Sequence, residues 1–144
     1  MTMKKNQQFL CTILRTIQSS QVEIRSVLDT ALGSSLRTTL ESQLQEYNSM
    51  ETEAYTIALQ RGWELPEMDS GRRFLKDRLT RIKVNGRNTD SRIADILIQG
   101  NTKGMILGLK HLHQFETQDH PIRILSQKLL DCETAHIRQM QTFL

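Results

Sequence analysis

Glu133 and His136 stand three residues apart, and on a helix residues at that spacing project from one face. A carboxylate and an imidazole so placed can serve one metal ion. Two such pairs, with a glutamate from each of two further helices, build a di-metal carboxylate centre inside a four-helix bundle. The rest of the chain does not supply that set. Shifting the sequence by 85 residues lays segment 36–59 on segment 121–144, so that Leu40 meets Leu125, Leu44 meets Leu129, Glu46 meets Asp131 and Glu51 meets His136. Glu133, however, falls on Asn48. The pattern reads as a duplicated helical hairpin with a broken ligand set. On the first helix the seam offers Gln21, with Glu23 to one side, and the stretch Asn101, Thr102, Lys103, Gly104 holds no carboxylate. Three candidate metal ligands remain, Glu51, Glu133 and His136, which suffice for one open site and not for a bridged pair. The competing reading is a satisfied network in which His136 bonds Glu51 or Tyr47 and fixes helix register.

Other chemistry finds less footing. His111 and His113 are two apart, hence on different helix faces, and His120 precedes a proline. Neither Cys11 nor Cys132 carries a nucleophile signature, and burial raises a thiol's pKa. No Gly-x-Ser-x-Gly turn occurs, and Gly100, Gly104 and Gly108 are spaced four apart without a preceding strand, unlike a phosphate-binding loop. Arg72, Arg73, Lys76, Arg78, Arg81, Lys83, Arg87 and Arg92 form a basic stretch that could track phosphates. Asp77 and Asp90 dilute it, and no aromatic follows Phe74 to stack on bases, so a solvated helix face is the preferred reading over nucleic acid.

These residues need helices to position them. Leu10, Leu14, Ile17, Gln21, Ile24, Leu28 and Ala31 recur at spacings of four and three and predict a helix over 7–32. Gly33 ends it, and Ser34 or Ser35 can cap a second helix over 35–61 carrying Leu36, Leu40, Leu44, Tyr47, Met50, Ala54 and Ile57. Pro66 breaks the chain, with Asp69 or Ser70 as the next cap, and a connecting helix is expected over 72–84. Trp63 should dock this crossover onto the bundle. A third helix over 91–117 and a fourth over 121–143 complete the pattern. Each of the three glycines in the third helix costs ~1 kcal/mol against alanine, so they need a reason. Close approach of another helix along a glycine strip is the preferred one, with an opening beside a ligand or a break near Gly100-Asn101 as alternatives.

The chain has 144 residues, net charge +3, 38% apolar and 24% charged residues, two prolines and 5% aromatics. That is one all-α domain with a sizeable core. No run of 18 apolar residues is present and no export signal is read, so the cytoplasm is expected, with both cysteines as small reduced core residues. The duplicated hairpin, the lone Glu133-x-x-His136 pair and the Arg61-Gly62-Trp63 ending of the second helix together resemble the ferritin-like superfamily, in particular small bacterial proteins similar to spore coat protein F. The resemblance implies an antiparallel four-helix bundle with a left-handed crossover, containing the short connecting helix, between the second and third long helices. Its di-iron motif carries over only to Glu133 and His136, and to Glu51 by the internal overlay. The expectation is therefore a non-enzymatic structural or interaction protein that has lost the di-iron site, spore- or stress-associated, with no cofactor and with itself as partner in a homodimer or larger homo-oligomer. The alternative is a ferritin-like oxidoreductase or storage protein binding iron, manganese or zinc through Glu51, Glu133 and His136.

Overall fold

A computed structural model of the protein describes residues 2–30, 32–65, 89–114 and 119–144. All secondary structure among them is helical: α1 (Thr2–Leu28), α2 (Ser34–Arg61), α3 (Thr89–Gln114) and α4 (His120–Gln141). The expected connecting helix at 72–84, its Pro66 break and Asp69 or Ser70 cap, and the basic stretch apart from Arg92 lie outside the described residues. So does Phe115, in the expected last turn of the third helix.

The helix ends follow local chemistry that periodicity does not carry. α1 stops at Leu28 rather than at 32 because Thr30 turns its own amide (3.0 Å) and hydroxyl (2.6 Å) back to the Val27 carbonyl. Arg37 then donates to the carbonyls of Leu28 (3.0 Å) and Thr30 (3.1 Å), which satisfies acceptors that helix termination leaves open. Neither Ser34 nor Ser35 caps α2. Gly33 is the N-cap, makes no side-chain cap bond, and donates its amide to the Asp90 carboxylate at the start of α3. At the far end Gly62 adopts φ +67°, and Trp63 N–H returns to the Ala58 carbonyl at 2.9 Å, the left-handed closure that glycine permits at least cost. α4 starts on Asp119, whose carboxylate accepts from the Ile122 amide while Pro121 occupies the first turn.

α1 packs most extensively along α2, and α3 along α4; α4 also lies against α2, and α1 against both α3 and α4. Between α1 and α2 the pairs are Gln7 with Glu64, Gln18 with Glu51 and Arg25 with Asn48. Between α2 and α4 they are Gln43 with Gln139, Tyr47 with His136 and Arg61 with Asp119. In each set residue numbers rise along one helix as they fall along the other. α1 approaches α3 where Glu23 meets Gly100, and the Gly33 cap of α2 meets Asp90 at the start of α3.

The core follows the predicted seams over most of its length. Leu10, Leu14, Ile17 and Ile24 of α1, Leu36, Leu40, Met50 and Ala54 of α2, and Leu125, Leu129 and Met140 of α4 are all buried. Each such aliphatic side chain contributes roughly 1.5–3 kcal/mol, which outweighs ~1 kcal/mol for each helical glycine. α3 departs from expectation. It is continuous through Gly100 and Asn101, so the helix does not break there, but only Ile93, Ala94, Leu97 and Asn101 are buried. Ile106, Leu107 and Leu109 are 41–45% exposed. Trp63 packs partly buried against the core, with the Arg61 guanidinium 5.6 Å from its ring centroid. No described helix is long and apolar enough to cross a membrane.

Candidate functional site

Two polar groupings occupy the middle of the bundle, and they divide the residues that the sequence put together. The first joins α1 to α2. Gln21 Nε2 donates to Asn48 Oδ1 (2.9 Å) and to Glu51 Oε1 (3.2 Å), and Gln18 Nε2 donates to Glu51 Oε2 (3.3 Å). Glu51 is therefore engaged with α1. The second joins α2, α3 and α4 around His136, which is fully buried. Its Nδ1 lies 2.9 Å from the Tyr47 hydroxyl, which in turn donates to Asn101 Oδ1 at 3.4 Å. The Tyr47 and His136 rings meet edge to face, with centroids 5.0 Å apart. The expected His136–Tyr47 bond is thus present, and Tyr47 spans the bundle from α2 to α3.

Glu133 points elsewhere. It is 1% exposed, and neither carboxylate oxygen has a hydrogen-bond partner among the described residues. A Cβ added at Gly104 would stand 2.7 Å from Glu133 Oε1, and one at Gly100 would stand 2.5 Å from the Glu23 carboxylate. Gly100 and Gly104 are explained by two side-chain carboxylates occupying the space that larger residues would fill, rather than by a neighbouring helix backbone. Gly108, whose added Cβ would sit 3.9 Å from Leu130, has room to spare. Burial, with a smaller contribution from Glu23, pushes the Glu133 carboxyl up to about 8. At neutral pH, with no cation beside it, the acid form predominates. Glu133 borders a cavity of about 10 Å³ that also touches Thr16, His111 and Ser126. Over Gly100 and Gly104 runs a groove of about 320 Å³ between α1 and α3, walled in part by Arg15, Glu23 and Lys103. Lys103 itself is exposed.

Glu51, Glu133 and His136 thus address α1, α3 and α2 respectively, and their ligand atoms do not form a common group. Among the described residues the group that converges is a different one. Glu46 Oε2, Cys132 Sγ and His136 Nε2 lie within 4.8 Å of one another. The Cys132 sulfur is 3.4 Å from Glu46 Oε2 and 3.4 Å from His136 Nε2, and Glu46 also contacts His136 directly. Burial and the nearby Glu46 charge push the Cys132 thiol up to about 12, and burial lowers His136 despite the opposing effect of Glu46. Without an ion the trio is therefore a thiol, a neutral imidazole and a half-exposed carboxylate.

Cys132 and His136 are four residues apart in the sequence, the spacing that puts both on one face of α4. Glu46 carried no signal, because its approach to α4 depends on how far α2 rotates about its axis. No protein-family model, curated protein or solved structure matches this chain.

Proposed function

We propose that this protein is a ferritin-like, antiparallel four-helix bundle, with a crossover from α2 to α3, that acts as a structural or interaction protein without di-iron chemistry. The observation that carries the reading is the separation of the carboxylates. Glu51 is hydrogen-bonded to α1, while Glu133 faces Gly104, so these two glutamates are not disposed to bridge two ions. The registers in which numbering rises along one helix and falls along its neighbour support the antiparallel arrangement. In place of a metal centre, the Gln21–Asn48–Glu51 and Asn101–Tyr47–His136 bonds tie the helices at one height. Buried polar links of this kind set register more than they add stability.

As partner the chain takes a second copy of itself, through the outward Ile106 and Leu109 on one face of α3. The likeness of the Arg61-Gly62-Trp63 turn to spore coat protein F supports a spore- or stress-associated assembly. The alternative, a storage protein or oxidoreductase using Glu51, Glu133 and His136, requires those side chains to leave three different helix contacts. Elemental analysis of protein purified without chelator separates the two. The scaffold reading expects no iron or manganese pair. Two ions per chain that vanish in Glu133→Gln would overturn it.

A further inference from the structure

The geometry points to a mononuclear divalent-metal site, with zinc the best fit, formed by Glu46 Oε2 of α2 together with Cys132 Sγ and His136 Nε2 of α4. It goes beyond the scaffold reading, lying at the α2–α4 seam and using neither Glu51 nor Glu133. Cys132 and His136 are one helical turn apart, so both project toward α2 from one face of α4. A tetrahedral zinc ion with a sulfur ligand at ~2.3 Å and a nitrogen ligand at ~2.0 Å holds those two atoms ~3.5 Å apart. The observed Sγ to Nε2 separation is 3.4 Å, as is that from Sγ to Glu46 Oε2. Two of the three ligand separations are already those of a zinc site. Glu46 is the exposed, movable member and withdraws slightly from His136 to admit the ion.

The imidazole is oriented for this role by its other nitrogen. With an ion bound, the neutral imidazole would carry its proton on Nδ1 and donate it to the Tyr47 oxygen 2.9 Å away, while the Tyr47 hydroxyl donates on to Asn101 Oδ1. In a neutral imidazole that leaves the lone pair on Nε2, which faces Glu46 and Cys132. A metal-bound histidine is held in this way by a hydrogen bond to its distal nitrogen. On binding, the Cys132 thiol releases its proton to solvent, and the thiolate and the Glu46 carboxylate together neutralise the two positive charges. One sulfur, one nitrogen and one oxygen donor select zinc over magnesium or calcium, which take oxygen. Glu46, with a side chain about half exposed, leaves the fourth position to water.

The test uses the full chain, reduced and freed of metal, titrated with cobalt(II) as a coloured substitute and then displaced by zinc. One ion per chain is expected, with the intense visible absorption of tetrahedral cobalt and a sulfur-to-cobalt charge-transfer band. Cys132→Ser should abolish that band, while Cys11→Ser, Glu51→Gln and Glu133→Gln leave it in place. Glu46→Gln, a change at an exposed side chain that leaves the fold alone, should weaken binding at least about tenfold, and Tyr47→Phe, through the positioning of His136, by about 10–100-fold. No cobalt binding, the weak pale spectrum of octahedral cobalt, or a charge-transfer band that survives Cys132→Ser would each overturn the site. Two ions per chain dependent on Glu133 would instead overturn the scaffold reading alone.

Discussion

A buried carboxyl with both oxygens unpaired costs stability whenever it ionises, and Glu133 is such a group. Its folded pKa of about 8 stands above the usual 4.5, so between those values the folded chain keeps a proton that the unfolded chain has lost. Stability is therefore full below about pH 4.5 and declines as pH rises toward 8, by roughly 3–5 kcal/mol in all if other groups are set aside. Urea denaturation across this range should show the decline in the native protein and lose most of it in Glu133→Gln. The variant should equal the native protein near pH 5 and exceed it at pH 9. An unchanged pH slope would mean that Glu133 is not the group responsible. The residue scale is also where the sequence was hardest to read. Glu133 and Cys132 are adjacent, yet one faces Gly104 of α3 and the other Glu46 of α2.

At the scale of single helices, two glycines at the same spacing should respond oppositely to one substitution. Replacing glycine by alanine in a helix gains ~1 kcal/mol where the new methyl fits. At Gly100 the obstruction is the far end of the half-buried Glu23 side chain, which can swing aside, so Gly100→Ala should be neutral or stabilising. Gly104 meets the carboxylate of a fully packed Glu133, and Gly104→Ala should lower stability by ~1–3 kcal/mol. Thermal melts of both variants decide this, and a stabilised Gly104→Ala would refute the packing argument. Asp119 is the other element-scale device, capping α4 through the Ile122 amide while pairing with Arg61 at 2.8 Å through both oxygens. Asp119→Ala loses the cap and the tie to α2 together. With Arg61 partly solvent-screened, the cap supplies most of an expected loss of ~1–2 kcal/mol, measurable by chemical denaturation.

For the molecule as a whole, the outward aliphatics of α3 make association the main open property. Ile106 and Leu109, three apart on one face of the helix, are 45% and 41% exposed, and neighbouring apolar side chains are better covered than solvated. Sedimentation equilibrium is expected to show a dimer, and Leu109→Glu to shift it toward monomer with little change in the secondary-structure signal at high dilution. A native chain that stays monomeric at high concentration would remove this face as the contact. Four helices sharing one core also mean that the polar links at mid-height are read out globally through α2, since shifting that helix by a turn would strand Gln21, Tyr47 and His136 at once.

How much of this was legible in the chain depends on the range of the interaction. The all-helical class, the positions of four long helices and most of the inner seam follow from apolar spacing, because an amphipathic stripe is a local property that any packing must bury. The Arg61-Gly62 stop was legible for the same reason. Gly62 closes a helix by its own backbone freedom. The outward turn of Ile106, Leu107 and Leu109 was not legible, nor was the division of Glu51, Glu133 and His136 among three neighbours. Those depend on axial rotation and register between helices far apart in sequence, where a few tens of degrees decide which of two adjacent residues faces which partner. Only the packed structure sets these angles, and it is they that bring Glu46 to Cys132 and His136 across some 90 residues of chain.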